Sequence, residues 1–256
     1  MNFVIYFYVI VMGFEIAIPS YNRQFIIKKK TLALLSKYSF PKERIKIFLV
    51  DDDMRKKYIE ELGKDYQFVI TGCNGIMETR NFLKTYYREQ TKTDWVLYMD
   101  DDVTNFQEMG VNVTDFQQVV NYMFETTEKL GLNLFAPSAY NNKFYMDNRV
   151  TTSLKYIIGA FSGEIIDRNK YEIHCDIGHF EDFQFTMEYF LRDGGVVRFN
   201  KYNIITKYFE LKGGICGQLG GMKARQAEME TNGHYLVQRY AAVSYTHLTL
   251  PTILRV

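Results

Sequence analysis

The chain is poor in the features that announce most specialised classes. It has three cysteines, Cys73, Cys175 and Cys216, too far apart for a zinc pair or a disulfide framework. A reducing cytoplasm is therefore the expected compartment. Four prolines and no Pro/Ser-rich stretch leave no sign of a disordered linker. Net charge is only +1, without the basic excess that signals bulk attraction to nucleic acid. Lys28-Lys29-Lys30 and Arg55-Lys56-Lys57 remain as local basic candidates. No apolar run reaches the ~20 residues of a spanning helix. The apolar segment 1–13 lacks a preceding basic residue and is broken by Glu15, so no stable membrane association is expected.

What is present is a chain of 256 residues with twenty Tyr and twenty Phe, enough to bury a proper core. The first half alternates strand-like and helix-like runs. Strands are predicted at 14–18, 45–50, 66–71 and 95–99, and helices at 25–37, 54–62 and 75–89. Such alternation implies a parallel sheet covered by helices on both faces. Thr114 and Gln117 have capping-box spacing, and Phe116, Val119, Val120, Met123 and Phe124 share one helical face that Gly131 ends. A strand is predicted at 132–136, and β-type residues over 150–166 predict added antiparallel strands. Phe183, Thr186, Met187, Phe190 and Leu191 mark another helix, stopped at Gly194-Gly195. One mixed α/β domain over 14–240 is the expectation. The tail 241–256 resembles a translated sequencing adapter and is expected to be non-native.

Ligands of such sheets collect outside the carboxyl ends of the strands. The polar loops fall there: Pro19-Ser20-Tyr21-Asn22-Arg23, Asp51-Asp52-Asp53 and Asp100-Asp101-Asp102. Three adjacent carboxylates repel one another, and a hard cation such as Mg2+ or Mn2+ relieves the repulsion. The alternatives are structural. The 19–23 segment suits a plain turn, and Asp52 or Asp53 suits a helix cap. Arg80, Lys84 and Arg88 form either a phosphate-facing stripe or a solvated one. Glu181 and Asp182 open a helix, where acids also serve stability. The glycine-dense run 212–221 is either a connector or a phosphate or acceptor loop, with Lys212 as a neutraliser of diphosphate.

Ile18-Pro19-Ser20-Tyr21-Asn22-Arg23, Asp51, Arg80-Asn81, Asp100-Asp101-Asp102 and Glu181-Asp182, in that order, resemble the GT-A glycosyltransferases across 14–221. The resemblance implies a Rossmann-like mixed sheet and a metal-dependent, hexosyltransferase-type enzyme using a UDP-sugar with Mn2+ or Mg2+. It implies that Pro19, Tyr21 and Asp51 surround the nucleoside, with Arg23 and Arg80 also on the donor. Asp100 and Asp102 would hold ribose and metal, and Asp182 would be the general base with Glu181 in support. Tyr98 to Val103 and Lys212 to Ile215, with the 19–23 opening, resemble the TET-associated glycosyltransferases of phages and eukaryotes. That likeness implies a hydroxymethylated DNA base as acceptor. A glycan, lipid or protein hydroxyl, or nucleotide-sugar binding without catalysis, are the alternatives. Tyr98-Met99-Asp100-Asp101 also matches the catalytic turn of reverse transcriptases. That reading needs a hairpin strand directly after the acids, whereas 104–110 reads as a polar loop.

Overall fold

The computed structural model describes residues 13–206 and 222–241. Lys212, the glycine-dense run, Cys216, the first twelve residues and the 242–256 tail lie outside the described residues.

Strands β1 (Glu15–Pro19), β2 (Ile45–Leu49), β3 (Gln67–Ile70) and β4 (Trp95–Met99) alternate with helices α1 (Gln24–Lys29), α2 (Thr31–Lys37), α3 (Asp52–Leu62) and α4 (Ile76–Glu89). Hairpin β5 (Asn105–Glu108) and β6 (Val111–Asn112) leads into α5 (Phe116–Lys129) and β7 (Leu134–Ser138). The chain continues through β8 (Val150–Thr151), β9 (Phe161–Ile165), α6 (Glu181–Asp193), β10 (Val197–Ile205) and α7 (Met222–Arg239). The strands form one sheet in the order β3-β2-β1-β4-β9-β7-β10-β5-β6, with β8 beside β10. β3, β2, β1 and β4 run parallel, as the alternating pattern predicts. β9 enters antiparallel between β4 and β7, so β4 and β7 point the same way.

Strands covered on both faces need apolar residues at successive positions. β2, β4 and β7 are buried throughout. Ile16, Ile18, Leu97 and Met99 pack on one side with residues of α2, α3 and α5. Ala17, Val96 and Tyr98 pack on the other with Leu83 and Tyr87 of α4. The chain moves from β1 outward to β3 and then returns to place β4 on the opposite side of β1. The sheet therefore has its topological switch between β1 and β4, beyond Pro19 and Met99, the place where ligands of such sheets gather. Among the described residues no helix is long and apolar enough to cross a membrane.

Several local expectations differ from the structure. The predicted helix 25–37 is two helices, broken at Lys30 (φ −118°, ψ −91°). The break delivers Thr31 to the 100–103 turn: its hydroxyl donates to the Asp100 carbonyl (2.7 Å) and accepts from the Val103 amide (2.9 Å). α5 is capped by Asp115, which accepts from the Gln118 amide, and not by Thr114. Gly131 does follow the end of α5, at φ +70°. Segment 104–110 is no polar loop; it contains β5 and the turn into β6. Yet β5 pairs with β10 and not with β4, so the acids do not sit in a polymerase-type hairpin. Segment 150–166 does supply antiparallel strands, as two short ones divided by a loop.

Candidate active site

At the end of β4 the three aspartates diverge toward different partners. Asp100 accepts from the Arg80 guanidinium (2.9 Å), and its side chain keeps 37% exposure. Asp101 is 4% exposed and accepts from the Ser20 hydroxyl (2.6 Å) and Arg23 (3.1 Å). Asp102 accepts from the Thr206 hydroxyl and lies 3.9 Å from Arg23. The repulsion predicted for this triplet is thus partly relieved by protein groups. Burial pushes the Asp101 carboxyl up to about 6 against the opposing pull of Arg23 and Ser20. Asp102 is also raised, again chiefly by burial.

The 19–23 loop is built to reach these acids. Pro19 ends β1, and the Ser20 amide continues the strand pairing by donating to the Phe48 carbonyl. Asn22 takes a left-handed conformation (φ +51°), turning the chain so that Arg23 faces back. Tyr58 of α3 fixes the turn through its hydroxyl, 2.6 Å from Ser20 Oγ and 3.0 Å from the Arg23 amide that donates to it. Tyr21 packs half-buried against the core.

Arg80 joins two acidic groups. Buried on α4, it donates to Asp100 and to the Gly159 carbonyl (3.0 Å), and its Nε is 3.9 Å from Glu181. It is therefore not part of a solvated stripe. Lys84 is equally committed, to Glu164 at 2.6 Å, and Arg88 donates to the carbonyls of Asp167, Arg168 and Lys170. Glu181 and Asp182 open α6 after Phe180, itself at φ +65°. Asp182 accepts from the Tyr156 hydroxyl and from the amides of Gly159 (3.2 Å) and Phe183 (2.9 Å). Gly159 permits this approach, because a Cβ there would lie 3.0 Å from that of Asp182. Burial, then the neighbouring Asp182 charge, pushes Glu181 up to about 8. Asp182 is raised by burial, with Tyr156, Gly159 and Arg80 pulling the other way. Both carboxyls of the pair are thus held above their ordinary range. A cavity of about 20 Å³ lies beneath, lined by Arg80, Gly159, Glu181 and Asp182 among others, with room for about one water.

Asp51 behaves differently from the other expected donor residues. Its Oδ1 accepts from the Met54 amide (2.7 Å) and caps α3, the task expected of Asp52 or Asp53. Sequence reasoning did not single out Tyr58, Thr31, Tyr156, Gly159 or Thr206, whose roles arise from long-range contacts. Ser20 alone stood inside a quoted motif.

The residues present suit a hard divalent cation. Asp100 and Asp102 offer carboxylate oxygens at the end of β4, and the Asp100 side chain keeps part of its surface exposed. Arg23, Arg80 and the ammonium of Lys30, which is buried without a hydrogen-bond partner among the described residues near Asp102, lie among these carboxyls. Among the described residues no group of three or more His, Cys, Asp or Glu is placed to hold a metal. An ion there would be held by one or two carboxylates and completed by substrate phosphate and water.

No protein-family model matches the chain, and no curated protein matches it. Among solved structures it is similar to the mannosyltransferase PcManGT from Pyrobaculum calidifontis in complex with GDP-Man and Mn2+. Identity is 12%, covering 90% of this chain and 64% of that one, with TM-score 0.53. The fold is GT-A. Two more distant likenesses are S. aureus TarS 1-349 and the glucosyl-3-phosphoglycerate synthase of Mycobacterium tuberculosis in complex with Mn2+, UDP and glucosyl-3-phosphoglycerate. TarS shares 15% identity over 73% of this chain and 58% of that one, TM-score 0.46. The synthase shares 13% over 85% and 77%, TM-score 0.49. The chain thus spans less than two thirds of the TarS and PcManGT chains.

Proposed function

We propose that the chain transfers a sugar from a nucleoside diphosphate, a UDP-sugar in our reading, to an acceptor hydroxyl. The observation that carries this is Arg80: it ties the acids ending β4 to the acidic pair opening α6, at the switch point of a GT-A sheet. Donor phosphates and acceptor hydroxyl would meet across that one side chain.

The donor lies beyond β1 and β4, against Pro19, Tyr21 and Arg23, with Asp100 and Asp102 holding Mn2+ or Mg2+. The ion, when bound, stabilises the charge that grows on the departing diphosphate. Asp182 accepts the proton of the attacking hydroxyl. Its hydrogen bonds from Tyr156 and Gly159 fix the carboxylate and oppose the upward push of burial. Glu181, protonated beside it, adds no second negative charge. Arg80 holds Asp100 and the α6 acids in fixed relation. Asp51 contributes to the nucleoside only through the oxygen its cap leaves over. Lys212 would add positive charge at the diphosphate.

The TET-associated resemblance, and with it a hydroxymethylated DNA base as acceptor, rests on sequence motifs alone. The similarity of PcManGT, which was solved with GDP-Man and Mn2+, supports the donor class and the ion without choosing the base. The test is calorimetric titration of UDP and GDP with and without Mn2+, followed by donor-sugar hydrolysis assays. Mn2+-dependent binding of one nucleotide with release of its sugar is expected. Failure of both nucleotides to bind in the presence of Mn2+ overturns the reading.

A further inference from the structure

The far half of the sheet carries a buried cation of a different kind. Arg80 and Lys84 are each bonded to a carboxylate. Arg198, the second residue of β10, is 6% exposed and has none among the described residues. Its guanidinium donates to the Ser138 hydroxyl (3.2 Å) and lies over the Tyr140 ring, 5.2 Å from the centroid. Arg198 Nε is buried without a hydrogen-bond partner among the described residues. Asp147, whose charge reaches it, is forked onto Arg149. A buried charge without a bonded counter-ion is costly, and proteins keep such groups where a ligand supplies the partner.

The surroundings extend the same pattern. Ser138 Oγ accepts from both Arg198 and the Tyr140 amide, so its own hydrogen is left to donate. β10 bulges between Phe199 and Asn203, which brings Asn203 into register with Ser138. Asn203 Oδ1 is a buried acceptor without a partner among the described residues, so it would take a hydroxyl of the ligand and not its anion, while its amide nitrogen donates to Asn141 (3.0 Å). Lys155 adds a second cation, lowered by burial and by Arg198. Ser138 ends β7, on the edge of the sheet where β4 delivers its acids. Tyr156 feels the Arg198 charge and donates to Asp182. Above the arginine, Tyr140, Tyr145 and Phe144 are 47%, 62% and 85% exposed, with Tyr140 and Tyr145 rings 5.6 Å apart.

We propose that Arg198 and Ser138 form the acceptor's anion subsite, holding the phosphate or carboxylate of a small hydroxylated acceptor whose sugar face rests on Tyr140 and Tyr145. The inference rests on the glycosyltransferase reading, which places the acceptor beside Asp182. A guanidinium buried under Tyr140 admits a terminal anion of a small molecule more readily than the outer backbone of a duplex.

The test titrates the full chain with glucose 6-phosphate, glucuronate and a duplex oligonucleotide carrying hydroxymethylated cytosine. UDP with Mn2+ is measured on the same samples. One of the two small anions binds, and the choice between them tells phosphate from carboxylate. Arg198→Lys keeps the charge but loses the fork, and weakens that binding by about 10-fold. Arg198→Gln abolishes it, and both variants leave UDP affinity unchanged. Should Arg198→Gln melt prematurely, Tyr145→Ala at its exposed position gives a second measure, about 3-fold weaker binding. Three results overturn the proposal: neither anion binding, anion binding indifferent to Arg198→Lys and Arg198→Gln, or capture of the oligonucleotide alone. Absence of UDP binding alongside Arg198-dependent anion binding would remove the donor reading and leave the anion subsite standing.

Discussion

Two Asp-Asp-Asp triplets leave the same edge of the sheet, one after β2 and one after β4. Asp51, Asp52 and Asp53 are exposed and serve α3: Asp51 caps it, while Asp52 and Asp53 pair with Arg55 (2.6 Å) and Lys56 (2.9 Å) on the surface. Asp101 and Asp102 are buried, and their partners come from distant parts of the chain. The residue types are identical, so composition does not separate them. What separates them is the next element. After β2 the chain enters a helix at once, and acids in a first turn meet its amides and its dipole. After β4 it enters a turn that Thr31 pins by bonding both the Asp100 carbonyl and the Val103 amide. That turn stands at the switch point, where Arg23 and Arg80 converge on it.

The sharpest way to break this comparison is to remove one acid from the inner triplet. Asp102→Ala is expected to abolish sugar transfer and Mn2+-dependent nucleotide binding; full activity in that variant would end the assignment of the β4 acids. Asp182→Asn comes next. It is expected to cut transfer by ~10²–10⁴-fold, the usual contribution of a positioned base, while nucleotide affinity stays within about two-fold. Equal loss of both would move Asp182 from proton transfer to donor binding.

Much of the inner site was legible because it lies at strand ends. The run Tyr98 to Asp102 marks a buried strand passing into acids, and alternation of elements identifies the edge where ligands gather. The GT-A resemblance placed Asp182 at the head of α6. What was not legible depends on contacts far apart in sequence. Nothing near Thr31 signals that its helix must break to reach a turn 69 positions away, nor does Tyr156 advertise its bond to Asp182. The Arg80-Lys84-Arg88 stripe has helical spacing that suits solvent equally well, and only the fold shows each cation taken by a different internal partner. The cap at Asp51 was misplaced by one or two residues because all three candidates are aspartate.

A smaller effect sharpens the contrast between a dry site and a wet one. Glu181 is raised from its ordinary 4.5 to about 8, so the folded protein binds a proton there that the unfolded chain has already lost. Stability attributable to this group therefore falls as pH climbs from about 4.5 toward about 8, then levels off. Glu181→Gln removes that slope, so its Tm relative to the parent's is expected to rise by ~7 °C or more between pH 5 and pH 8. Equal differences at both pH values would mean that Glu181 is already ionised in the fold.

The outer triplet supplies the smallest and most discriminating measurement. Asp51→Ala removes a helix cap, which costs about 1 kcal/mol, or ~2–4 °C in Tm for a domain of this size. Asp51→Asn keeps a competent cap and is expected to melt with the parent. Asp53→Ala breaks only an exposed i,i+3 pair and should fall within about 0.5 kcal/mol. None of the three variants is expected to change UDP affinity by more than about two-fold if the triplet serves α3 alone. A ten-fold loss in both Asp51→Ala and Asp51→Asn, with stability of the latter intact, would show that the second oxygen of Asp51 reaches the nucleoside. The two triplets would then differ in the number of functional acids and not in kind, because a cap and a ligand contact can share one carboxylate.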